Sequence, residues 1–308
     1  MLKIREAIAV KIQTAHGTAA TPSPTSEAVL CSNLSFSYVD SRMLDRNIVK
    51  NTKGKLAQVY GGSLGQVTFD VELKGSGTAG AGPEIAACLV ACGMAETIVA
   101  STSATYTPAT ANQQYATIYF YQDGVLRSLE DAVGTFSLNL EAGSFGTASF
   151  TFTGHLGTPS DTAFPSTAYD ASVPVPVIGG AFTIGGYSAS ITKLAIDRGN
   201  NIVKPASYSA SDGYGQIRIL DWDCTGSFDP SAELLATKDY VDQWASGTAL
   251  ALASGTIGST AGNRYAITMP AVSYRSVAYG EREAIRTYEV GFGAAEVSGD
   301  DELSIAFT

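Results

Sequence analysis

Gly75-Ser76-Gly77-Thr78-Ala79-Gly80 spells G-x-G-x-x-G between a strand-like run and a helix-like run. Such a loop can cradle a dinucleotide pyrophosphate on backbone N–H groups at a helix start. That chemistry needs a buried strand before the loop, and a parallel βαβ unit around it. Here the strand before it is amphipathic, the helix has barely three turns, and no βαβ pattern follows. The loop therefore reads as a tight turn into a helix. Thr225-Gly226-Ser227-Phe228-Asp229-Pro230 reads as its counterpart later in the chain.

The other reactive groups form no constellation. Cys88 and Cys92 are four apart on one helix face, but a metal site would want CxxC-type pairs and added ligands. His16 and His155, the only histidines, sit in unrelated segments. With Cys31 and Cys224, these cysteines read as free thiols, mostly buried. The carboxylates Asp221/Asp223 and Asp300/Asp301/Glu302 lack Ca²⁺-loop spacing and read as solvated acidic faces. Trp222 and Trp244 read as core or interface residues. Asn33-Leu34-Ser35 matches a glycosylation sequon by chance. The expectation is no catalytic residue, no metal and no cofactor.

The elements that carry these groups are strands. Val67, Phe69, Val71 and Leu73 alternate with Gln66, Thr68, Asp70, Glu72 and Lys74. Residues 31–39, Ala116–Gln122, Val125–Leu129, Phe136–Leu140 and Ala148–Phe152 alternate likewise, with a turn at Asp123-Gly124. A short helix is expected from Pro83 to Cys92, closed by Gly93. Later strands are expected at Gln216–Cys224, Arg264–Met269, Val272–Tyr279 and Arg286–Phe292. A helix is expected from Asp229-Pro230 to Trp244.

The chain repeats itself. Asn47-Ile48-Val49-Lys50 recurs as Asn201-Ile202-Val203-Lys204. Gly65-Gln66-Val67 then matches Gly215-Gln216-Ile217, and Leu303, Ile305 and Phe307 match Ala148, Phe150 and Phe152. The expected organisation is an arm over 1–30, a β domain over 31–157, a proline-rich linker over 158–180 and a second β domain over 181–308. The fold class is mainly β: two tandem β-sandwich or β-barrel domains, each with one short α-helix.

Charge narrows function. The chain has 308 residues, 16% charged, with a net charge of −10, which disfavours a reader of nucleic-acid sequence. No apolar run reaches transmembrane length, and the first residues lack a signal peptide's long apolar stretch. Within 40–64, Arg42, Arg46, Lys50, Lys53 and Lys55 stand against Asp40 and Asp45, a local charge of +3 (five minus two). Such a loop suits contact with the acidic surface of another copy. The polar strand faces hold Asp70, Glu72, Ser137, Asn139, Glu141, Ser149, Thr151, Glu289, Glu302 and Ser304. Short polar and acidic residues of this kind would repel phosphate; Lys74 and Arg218 do not fit.

Three stretches carry a family resemblance. One runs from Val71-Glu72-Leu73-Lys74-Gly75-Ser76-Gly77-Thr78-Ala79 to Cys92-Gly93. Another leads from Tyr106-Thr107-Pro108 through Asp123-Gly124 to Gly134-Thr135-Phe136-Ser137. The third is Ser298-Gly299-Asp300-Asp301-Glu302-Leu303-Ser304-Ile305. With the N-terminal arm they make the chain resemble the major tail tube proteins of long-tailed, non-contractile phages. The resemblance implies sheets joined between domains into a barrel around a lumen, with long loops and the arm reaching the next ring. Many members place six single-domain chains in a ring. A tandem chain implies a trimeric, pseudo-sixfold ring, whereas a spurious repeat would imply six chains.

The lumen candidates are Asp70, Glu72, Glu141 and Glu289. The inter-ring candidates are Arg42, Arg46, Lys50, Lys53 and Lys55. Implied partners are further copies of the chain and the tape measure, tail terminator and tail tip proteins. Viral DNA would pass through without specific binding, and no membrane is involved. The implied location is the virion tail, assembled in host cytoplasm. The alternatives are a secreted β-sandwich adhesin or carbohydrate-binding protein, which would need export, and a bacterial injection tube, whose chains are usually shorter.

Overall fold

The alternating runs fold as antiparallel strands, and the chain is mainly β, with two short helices among the described residues. A computed structural model describes Leu2 and residues 4–308. Met1 and Lys3, two positions of the expected arm, lie outside the described residues. The first half holds β1 (Glu6–Ile12), β2 (Ala28–Val29), β3 (Ser32–Val39), β4 (Met43–Leu44), β5 (Val59–Tyr60) and β6 (Leu64–Glu72). It continues with α1 (Ala86–Ala91), β7 (Met94–Val99), β8 (Ser103–Pro108), β9 (Ala116–Gln122), β10 (Val125–Glu141), β11 (Thr147–Leu156) and β12 (Ser160–Asp161). The second half holds β13 (Thr183–Ile184), β14 (Tyr187–Ser188), β15 (Ile191–Asp197), β16 (Asn200–Val203), β17 (Arg218–Trp222) and β18 (Thr225–Pro230). Then come α2 (Tyr240–Ser246), β19 (Leu250–Ala253), β20 (Tyr265–Arg282), β21 (Ile285–Ala295) and β22 (Ser304–Phe307).

Eight strands make one continuous run in the order β3-β6-β11-β10-β15-β18-β21-β20. The first four come from the first half and the last four from the second. The seam is β10 against β15, with Leu138 opposite Ile196 and Leu140 opposite Leu194. Both sets of four have the same order. Thr68-Phe69-Asp70 and Ser227-Phe228-Asp229 occupy matching places, with Phe69 opposite Phe150 and Phe228 opposite Val290. A second seam pairs β8 with β22, which also lies beside β20.

Several segments leave their expected places. Gln216–Cys224 is not the counterpart of 66–74. Its β17 pairs with β16 in a separate hairpin, and the topological counterpart of β6 is β18. Thr225–Pro230 is therefore strand rather than turn, and no helix starts at Asp229-Pro230. The Asp229 carboxylate instead accepts N–H bonds from Thr192 and Lys193 on the neighbouring strand. The helix α2 begins after Asp239, whose carboxylate accepts from the N–H groups of Val241 and Asp242. It closes at Gly247, where φ is 64°.

Leu303–Phe307 does not match Ala148–Phe152; β21 holds that place, and β22 fills the second seam. The two strands expected within 125–140 are one strand, β10, whose register shifts between Glu130 and Val133. Asp131 in that bulge has φ 47° and accepts from the Gly17 N–H. Within the expected arm, Glu6–Ile12 pair along β9, and Ala7, Ile8, Ala9 and Val10 are buried. That apolar run is worth more inside the sheet than outside it. Helix α1 is shorter than expected, and Gly93 closes it at φ 80°.

The repeated tetrapeptides both lie in insertions between matching strands. Asn47–Lys50 lies in the exposed loop between β4 and β5, and Asn201–Val203 lies within β16. The glycine-rich loop also has a structural explanation. The Gly77 N–H donates to the Gly262 carbonyl, and the Gly75 N–H donates to the Asn263 side chain. A Cβ on Gly75 would stand 2.1 Å from the Gly262 oxygen. Glycine there lets two backbones from opposite halves touch.

Phe69, Phe150 and Phe152 stack in the first half; Phe228, Tyr240, Tyr274 and Phe292 cluster in the second. All four cysteines are free, and Cys88, Cys92 and Cys224 are buried. Burial pushes the Cys31 and Cys224 thiols up to about 12, and it raises the Cys88 and Cys92 thiols as well. Iodoacetamide at pH 8 should therefore modify the folded protein very slowly and all four thiols promptly in guanidinium. Rapid labelling of two or more thiols in the native protein would contradict this packing.

Candidate functional site

The eight-strand run buries one face and leaves the other polar. On β6, Val67, Phe69 and Val71 are buried, while Asp70 is half-buried and Glu72 exposed. On β10, Phe136, Leu138 and Leu140 are buried, and Ser137, Asn139 and Glu141 turn the other way. On β21, Tyr288 and Val290 are buried and Glu289 is exposed. Registers carry this face across the seam. Asp70 is opposite Ser149, Ser149 opposite Ser137, Ser137 opposite Asp197, and Asp197 opposite Thr225. The structure thus places Asp70, Glu72, Glu141 and Glu289 on one face of one sheet.

Asp197, Asp229 and Lys193 share that face and were not singled out in the sequence, because no strand was expected over 191–197 and Asp229 was read as a helix start. Lys193 stands opposite Glu141, and Arg282 pairs with Asp229 at 3.1 Å. Asp70 accepts from the Asn33 amide at 2.7 Å. The small residues are Ser137, Ser149, Thr147, Thr151, Ala195, Ser227 and Gly291.

Two residues of the expected polar faces behave differently. Glu302 is buried and accepts from Arg198 Nη1 at 3.0 Å. Lys74 is also off this face: it is buried against Glu84, at 3.3 Å, and donates to the Asp170 carbonyl. Arg218, the other misfit, sits on β17, outside the eight-strand run. The acidic run 300–302 splits three ways. Asp300 accepts from the Thr110 hydroxyl, and Asp301 from the N–H groups of Val297 and Ser298, leaving Glu302 to Arg198. Trp222 is covered by the Arg198 guanidinium at 4.3 Å from its ring centre, so it is no open platform for a sugar.

The sheet ends on two open edges. Among the described residues β3 pairs only with β6, and its outer side is partly exposed. The 274–282 part of β20 pairs only with β21, among the described residues. Tyr279 on this edge is 72% exposed. Its topological equivalent on β10 is Leu138, which lies opposite Ile196 of β15 and is 1% exposed within the hydrophobic core. Open edges invite pairing with another chain.

The basic loop projects from the sheet end where β3 finishes and β6 begins. Arg46, Lys50, Lys53 and Lys55 are exposed. Arg42 differs: it donates to the Gly213 carbonyl at 3.0 Å and stacks on the Tyr214 ring at 3.9 Å. Beside it Lys204 reaches Asp40 at 2.6 Å. Arg42 fixes the loop's base to the second insertion and is engaged within its own chain.

The sequence model of the phage tail tube protein family matches residues 4–308. The chain belongs to the phage tail tube protein family. No curated protein matches it. As a tail tube protein it is a structural component of the virion tail. No helix among the described residues is long and apolar enough to cross a membrane.

Proposed function

We propose that this tail tube protein closes into trimeric, pseudo-sixfold rings that stack around a channel for DNA. One observation carries the reading: the chain pairs β10 with β15 across its halves and leaves, among the described residues, the two edges needed to repeat that pairing. Transferring the β10–β15 register to β20 and β3 puts Ala278 opposite Ser37, Tyr279 opposite Phe36 and Gly280 opposite Ser35. Residues 31–157 and 181–308 would then act as two domains in six equivalent places, with 158–180 as the strap between them.

Strand spacing supports three copies. At ~4.8 Å per strand, two copies of eight strands enclose a bore of about 24 Å between backbones, and three enclose about 37 Å. Strand tilt widens both, and the larger bore admits a duplex with room to spare once side chains are subtracted. The polar face would line that bore, with Asp70, Glu72, Glu141 and Glu289 repelling phosphate. Lys193 and Arg282 would not attract it strongly, since each has a carboxylate nearby. The tape measure, terminator and tip proteins would meet this lumen or the end rings, and assembly would occur in host cytoplasm. The siphovirus-type tail is the setting this implies.

Top-to-bottom contacts do not close, so rings stack into a filament. Arg46, Lys50, Lys53 and Lys55 would make axial contacts, with Arg42 holding their loop in place. Parts of 13–27, rather than the buried β1, would add to them. The double variant Arg46→Glu/Lys50→Glu should slow tube growth while rings survive in negative-stain images. The effect should shrink as salt rises. Rings and tubes from the purified protein support the reading. Monodisperse particles at every concentration, or undiminished tubes from the double variant, count against it.

A further inference from the structure

The loop between β4 and β5 carries more than charge. Ile48 and Val49 are exposed between Arg46 and Lys50, and Val49 is fully so. Met43, Leu44, Val59 and Tyr60 at its base are exposed as well. An apolar patch this size on a projecting hairpin marks a contact surface. The loop's 45–58 span can reach roughly 20 Å beyond the sheet as a folded-back pair of arms.

The opposite end of the sheet holds an apolar cavity of about 330 Å³. Register fixes the two ends: Leu64 and Val39 pair at one, while Glu141 and Lys193 pair at the other. The cavity lies where β10 ends and β15 begins. Leu140, Phe182, Ile191 and Leu194 form its walls, and Ile178 stands at its mouth. Ile178 is 63% exposed, so the mouth is open to an incoming chain. The volume is enough for a pair of aliphatic side chains.

Charge favours this match. The strands at this end of the sheet expose Glu72, Glu141, Glu281, Glu283 and Glu289 against Lys193 and Arg286, with Glu72, Glu141, Glu289 and Lys193 on the face of the sheet opposite the cavity walls. The loop exposes Arg46, Lys50, Lys53 and Lys55 against Asp45. An acidic end facing a basic loop would steer one onto the other.

We propose that Ile48 and Val49 of one subunit seat in this cavity of a subunit in the adjacent ring. The occupant is a second copy of this chain, and the inference rests on the stacked-ring reading above. The seat gives each ring a fixed polarity, because loop and cavity lie at opposite ends of the same subunit. Burying two aliphatic side chains supplies the affinity, and the flanking charges supply the approach.

Two variants test it. Val49→Asp should lower tube growth by roughly tenfold or more with rings intact, since a carboxylate enters an apolar seat. Val49→Leu should grow tubes as the wild type does. Val49 is exposed, so neither change should affect folding. Second, Val49→Cys combined with Ile178→Cys should give a ladder of linked chains on a non-reducing gel after mild oxidation. Wild-type tubes together with unaffected V49D growth, or with no ladder, overturn the seat and leave the tube reading standing. Wild-type protein that forms neither rings nor tubes overturns both.

Discussion

Tyr279→Asp should leave the monomer folded and prevent ring closure. Tyr279 is 72% exposed on the unpaired part of β20, so the isolated chain loses little. In the proposed junction the same side chain lies opposite Phe36 of the neighbour and becomes as covered as Leu138 is now. The substitution forfeits that burial and brings a carboxylate to an apolar contact, where Glu281 is already close in sequence. Together these cost about 3 kcal/mol per junction. Each junction's dissociation constant should rise by roughly a hundredfold, and a ring contains several junctions. Analytical ultracentrifugation should show monomer with unchanged thermal melting at concentrations where the wild type is fully assembled. Normal rings from Tyr279→Asp would mean that this edge faces solvent in the assembly.

Glu302→Ala should strike the fold itself. Arg198 is 0% exposed, and Glu302 is its one carboxylate partner among the described residues. Burial lowers the Arg198 pKa, and Glu302 works against that shift. The guanidinium lies over Trp222, and its Nε and Nη2 atoms have no hydrogen-bond partner among the described residues. Truncating Glu302 strands a buried cation, which costs about 3–5 kcal/mol. That is a large part of an ordinary domain's stability. Urea unfolding should show a midpoint shift of that size. Arg198→Met/Glu302→Leu should recover most of the loss, because removing both charges removes the desolvation penalty. A loss under about 1 kcal/mol in the single variant would show that water reaches the pair.

The same pair shows where the sequence stops being legible. Glu302 sits in an Asp-Asp-Glu run and looks solvated; nothing nearby in the chain announces Arg198. By contrast, β6, β11 and the polar face of β10 were legible, because alternation is a local signal and a half-buried strand cannot hide it. Asp229-Pro230 misled for a physical reason. Aspartate next to proline suits a helix start, yet here the aspartate caps neighbouring-strand N–H groups and the proline ends a strand. The helix start at Asp239 uses the same capping chemistry, without the proline.

The repeat was visible, but its alignment was not. Asn-Ile-Val-Lys is an eye-catching match inside insertions that are free to differ. The match that follows the strand order is Thr68-Phe69-Asp70 with Ser227-Phe228-Asp229, too short to stand out. Both seams are pairings between distant segments, 137–141 with 193–197 and 104–106 with 305–307. No local pattern encodes such partners. The lumen candidates Asp70, Glu72, Glu141 and Glu289 could be chosen from alternation alone, whereas Asp197 and Lys193 needed the seam. Of the basic residues, Arg42 could not be separated from Arg46 without seeing Tyr214 beneath it.

The central claim is that neighbouring subunits repeat the internal β10–β15 seam through β20 and β3. A cryo-EM reconstruction of tubes at side-chain resolution tests it most directly. The account predicts three chains per ring, with Tyr279 of one chain facing Phe36 of the next across an unbroken sheet. Six chains per ring, or a β3 edge open to solvent inside the tube, would contradict it.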